Sequence, residues 1–140
     1  MHSAIYGALF FTVALLVTTA YFLMGGLPLL VLKHDTPLDA RFVRGFFNVY
    51  YKAAMVTALG AAISYALWGR FGFAVGAAGL AGIALLLRQR LIPAMQFLDL
   101  QIQANDDDAI RRFRRIHGSA LLVNLVQLIV VVWSTTQLSL

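Results

Sequence analysis

The sequence predicts an all-α integral membrane protein, a four-helix bundle forming a single domain over residues 1–140. Three observations predict it. Hydrophobic residues make up 61% of the chain and charged residues 12%, with a mean hydropathy of +0.80. A soluble domain carries about 25% charged residues, so lipid must cover most of this surface. Four apolar runs are each long enough to cross a hydrocarbon core about 30 Å thick. The charges gather between these runs, so the net charge of +5 reads as membrane topology, and no nucleic-acid partner is expected. Cys is absent, which excludes a disulfide framework and a thiolate metal site.

The first run is Ser3–Leu32. Its leading stretch MHSAIYGALFF has no Lys or Arg and so lacks the basic segment of a secretory signal; it reads as an uncleaved first helix. A straight helix of this length would span ~45 Å, longer than the hydrocarbon core. Gly25-Gly26-Leu27-Pro28 is the expected site of a kink, with Pro28–Leu32 near the interface.

Lys33–Lys52 forms the first polar connection. Asp35-Thr36-Pro37 reads as a helix start, with Asp35 or Thr36 capping and Pro37 in the first turn. The second helix is expected to enter lipid around Phe46. Tyr50 and Tyr51 mark the interface, Lys52 snorkels back to it, and the helix leaves the membrane at Trp68. Gly69-Arg70 then makes a tight hairpin. The third run, Phe71–Leu87, contains Gly72, Gly76, Gly79 and Gly82, the first two spaced as GxxxG. Small residues on one face let helices approach closely in lipid, so these glycines are expected to face neighbouring helices and to make this helix central. Helix should persist past Arg88-Gln89-Arg90 toward Gln103, bent at Pro93. Asn105-Asp106-Asp107-Asp108 turns the chain, and one Asp caps the fourth helix.

Orientation follows from the basic residues. Lys33, Arg41, Arg44 and Lys52 flank the first connection, and Arg88, Arg90, Arg111, Arg112, Arg114 and Arg115 the third. Of the 11 basic residues only Arg70 flanks the second. The first and third connections are therefore expected in the cytoplasm, both termini on the non-cytoplasmic side, and the protein in the bacterial inner membrane.

The fourth helix carries the residues with chemical potential. Its start, RRFRRIHGSALLVNLVQLIVVVW, is a basic collar followed by an apolar run broken by Asn124 and Gln127. His117, Asn124 and Gln127 can share one face and line a pocket for a quinone or porphyrin. The alternative is hydrogen bonding between helices, with Asn48, Thr57 and Ser64 as possible partners. His34 and His117 lie at similar depth, so a haem iron or a copper ion could be held between them; otherwise both bond to water, headgroups or backbone. The chain has no Glu, and no Asp falls inside a lipid span, which disfavours an ion pathway. No hydrolase, zinc-protease, Walker or dinucleotide motif is present, so enzymatic activity is not indicated. At the basic end, Arg111, Arg112, Arg114 and Arg115, with Phe97 and Leu98, are expected to meet lipid or a partner protein.

The segment Phe113–Leu128, FRRIHGSALLVNLVQL, resembles the last helix of uncharacterised bacterial four-helix membrane families. These are distantly similar to the copper-resistance protein CopD and to membrane-bound protoporphyrinogen oxidases. The resemblance implies the four-helix architecture and, at His117 and Asn124, a role in handling haem or copper. Together these readings give a first expectation of a small accessory or scaffold subunit packing against a larger membrane partner, or self-associating. The second expectation is a haem- or copper-handling protein using His34 and His117.

Overall fold

The computed structural model describes residues 2–31, 37–104 and 106–138, and these form four α-helices. They are α1 (His2–Leu30), α2 (Pro37–Trp68), α3 (Phe71–Gln103) and α4 (Asp107–Thr136). All four are long and apolar enough to cross a membrane. α2 packs between α1 and α3, and α4 completes the bundle against the same two helices.

The packing follows a three-four spacing. α1 buries Ala8, Thr12, Leu15, Thr19, Phe22 and Gly26. α2 answers with Val43, Phe47, Tyr50, Ala54, Ala58, Ala61 and Tyr65. This spacing keeps one seam on the partner helix, as in left-handed bundles. Close approach of α1 to α2 depends on Gly60, where a Cβ would lie 2.5 Å from the Phe11 ring, and on Gly25, where it would lie 2.8 Å from the Phe46 ring.

α3 meets α2 through alanines, and here the structure departs from the expectation. Ala74, Ala77, Ala81 and Ala84 are buried against the small residues of α2. Gly72, Gly76, Gly79 and Gly82 point elsewhere, and a Cβ at any of them would meet nothing within 4 Å. The small residues that let backbones approach are thus the alanines, one face away from the glycines.

Turn chemistry matches the expected boundaries. Gly69 adopts φ +82°, which a residue with a Cβ rarely takes. Its N–H bonds to Ala66 O at 3.1 Å and the Arg70 N–H to Tyr65 O at 2.9 Å. That pair of bonds is a Schellman ending for α2. Asp106 caps α4, its carboxylate accepting from the N–H groups of Asp108 at 3.0 Å and Ala109 at 3.4 Å. The expected cap at Asp35 or Thr36 lies outside the described residues. α1 continues through Pro28 to Leu30, and α3 runs unbroken through Pro93.

The helices overrun the membrane at the end carrying most of the basic residues. At 1.5 Å per residue, the 33 residues of α3 span ~50 Å, against ~30 Å of hydrocarbon. The overrun has its own core, in which Val43, Phe47, Met95, Ile102 and Phe113 are almost fully buried. The C-terminal part of α3 and the start of α4 form the helical hairpin expected from the sequence.

Candidate functional site

His117 is fully buried at the α1–α4 contact. Its Nε2 lies 3.0 Å from the Gly26 carbonyl oxygen. A carbonyl only accepts, so this bond places the imidazole proton on Nε2. The ring also stands edge-on to Phe47, with centroids 5.0 Å apart. Ligation of a metal through Nε2 would require the bond to Gly26 to break. The backbone comes close here because position 26 lacks a side chain: a Cβ would lie 2.4 Å from Leu121.

Two turns on, Asn124 donates from Nδ2 to the Thr19 carbonyl at 3.2 Å. The sequence pointed to side chains of the second helix as partners; the partners of His117 and Asn124 are instead backbone carbonyls of α1. Thr57 bonds within α2, to Ala53 O at 2.8 Å, and Asn48 Oδ1 accepts from Arg88 Nε at 3.0 Å. Gln127 borders a cavity of about 10 Å³ shared with Thr19 and Tyr50. That is room for a single water molecule, whereas cofactor pockets run to about 300–1,000 Å³. The expected ring-sized pocket at His117, Asn124 and Gln127 is therefore filled by protein. Asn124 Oδ1 and the Tyr51 hydroxyl are buried without a hydrogen-bond partner among the described residues.

The charged residues near the basic end fall into two groups. Arg44 pairs with Asp99 at 3.2 Å, with side chains 23% and 6% exposed. Asp99 Oδ1 is buried and unpartnered among the described residues. By contrast, Arg111, Arg112, Arg114 and Arg115 are all exposed. Arg111 bonds to Asp108 at 2.5 Å, and Arg114 donates to Leu30 O at 3.3 Å. Phe97 is 61% exposed. Leu98 is 5% exposed and belongs to the overrun core, so it does not face a lipid or partner. His34 lies outside the described residues. Among those described, no three His, Cys, Asp or Glu residues group together to hold a metal.

A feature the sequence reading missed opens between α3 and α4, in the half of the bundle away from the basic end. It is a groove of about 490 Å³. Gly72, Gly76, Gly79 and Ile83 form one wall, and Val130 and Trp133 part of the other. Thr12 and Tyr65 reach its floor, and their hydroxyls bond to each other at 2.7 Å. The signal was the glycine repeat itself, which was expected to pack against neighbouring helices and instead lines open space. Comparison with known protein families, curated proteins and solved structures gives no match for this chain.

Proposed function

We propose that this chain is a membrane-embedded accessory subunit whose α3–α4 groove receives an apolar helix of a larger membrane partner. The observation that carries the reading is the open glycine wall. In lipid, helices associate through close backbone approach and small residues rather than through a hydrophobic force. Here Gly72, Gly76, Gly79 and Gly82 have no neighbour within Cβ reach from their own chain. The groove is apolar and lies within the membrane-spanning part of the bundle. Its depth is set by the alanine packing of α3 on α2, which holds the glycine face outward. A scaffold role also fits His117 and Asn124, whose ring and amide N–H groups bond to backbone carbonyls of α1.

The basic residues support an orientation with the α1–α2 and α3–α4 connections in the cytoplasm and both termini outside. With that asymmetry, the bacterial inner membrane is the proposed location.

Purification in gentle detergent tests the reading. Wild-type protein is expected to bring down a specific membrane protein. Gly76→Leu or Gly79→Leu is expected to lose that protein while keeping wild-type thermal stability, because the leucine enters open space. Wild-type protein that always runs alone or as a pure homo-oligomer would overturn the proposal. A Soret band in the purified protein would favour a haem role instead.

A further inference from the structure

We infer that the outer face of α2, at its basic end, holds an anionic phospholipid, with an acyl chain along the helix and the phosphate at Arg41. A concavity of about 540 Å³ lies there, bordered by Leu38, Arg41, Phe42, Gly45, Phe46 and Val49. Gly45 leaves the floor open, since a Cβ there would meet nothing within 4 Å. Leu38, Phe42 and Val49 are 73%, 61% and 68% exposed, so no other described part of the chain covers them.

The depth of the apolar surface indicates what does. The outward face of α1 stays apolar from Tyr6 to Val31, including Phe10, Val17, Met24 and Leu27. That stretch covers ~38 Å along the helix, beyond a ~30 Å hydrocarbon core. On α4, by contrast, exposed charge begins at Arg115. The α1–α2 side therefore calls for apolar cover past the level where the α3–α4 side already meets headgroups. α2 shares that side, since Phe46 packs on Gly25 of α1.

Charge selects the lipid. Among the described residues, Arg41 is the cation bordering the concavity. Arg44, one turn on, is directed to Asp99 instead. An amphiphile with an apolar chain and an anionic head matches an apolar channel ending in a guanidinium, which binds phosphate through two parallel N–H groups.

Native mass spectrometry of detergent-solubilised protein tests this, with phosphatidylglycerol or phosphatidylcholine added at equal concentration. Wild-type protein is expected to retain phosphatidylglycerol preferentially. Arg41→Gln should lower that retention about fivefold, the factor matching about 1 kcal/mol for one cation near anionic lipid. Arg41→Lys should recover most of it. Gly45→Leu, which fills the channel, should lower retention of both lipids without moving Arg41. Arg90→Gln, an exposed cation outside the concavity, should leave retention unchanged. Equal retention of the two lipids by wild-type protein would overturn the inference. So would wild-type retention by both Arg41→Gln and Gly45→Leu, or an equal loss in Arg90→Gln, which would mark diffuse attraction to the basic end.

Discussion

His117 and Asn124 tie α4 to α1 through carbonyls of Gly26 and Thr19, and this sets what their loss should do. His117→Ala removes a packed ring and leaves a buried carbonyl with one fewer donor, a cost of about 1–3 kcal/mol. Asn124→Ala should cost less, about 0.6–1.7 kcal/mol, in line with hydrogen bonds between helices in lipid. Thermal unfolding in detergent should rank the two in that order; an Asn124 variant less stable than the His117 variant would contradict it. The Arg44–Asp99 pair should be lopsided. Arg44→Leu strands a carboxylate that is 4% exposed, costing about 3 kcal/mol. Asp99→Asn leaves a guanidinium that is 23% exposed and that water can reach, so it should cost clearly less in the same assay. The polar pair on α4 was legible in the sequence because amides in an apolar run need partners. The partners themselves were not, since they are backbone carbonyls, which every residue carries.

At the scale of the helix, the sequence offered two small-residue faces on α3 and no means of choosing between them. Ala74, Ala77, Ala81 and Ala84 repeat at the same spacing that makes the glycines conspicuous. In water, the buried face of a helix declares itself by its apolar character. In lipid both faces are apolar, and that contrast disappears. The choice falls to shape: α2 presents Ala54, Ala58 and Ala61, and alanine meets alanine. Ala81→Leu should therefore force α2 and α3 apart and cost about 1–3 kcal/mol. Gly79→Leu, two residues away, should leave thermal stability near that of wild type. The reverse ranking in detergent would place the glycines, rather than the alanines, at the α2–α3 contact. The helix ends were more legible, because a glycine with positive φ at Gly69 and an Asp cap at Asp106 are local devices that leave a mark in the sequence.

For the whole molecule, composition was enough to give four membrane helices, because an apolar length near 20 residues has few other uses. The overrun was legible as well, in the apolar spacing that continues past Arg88 into Met95 and Ile102. The groove was not, because a gap between two helices depends on how α4 docks, and no single stretch encodes it. Orientation belongs to this scale. With basic residues concentrated at one end, single cysteines at Asp107 and Thr136 should be labelled from opposite sides of the membrane, and labelling of Thr136→Cys only from the cytoplasm would contradict the proposed orientation. The most direct test of the central claim is photocrosslinking in the native membrane from Val130, inside the groove, compared with Leu122, which is 63% exposed on the same helix but outside it. The account predicts a discrete protein adduct from Val130, lost in Gly76→Leu, and only lipid adducts from Leu122. Lipid adducts alone from both positions would contradict it.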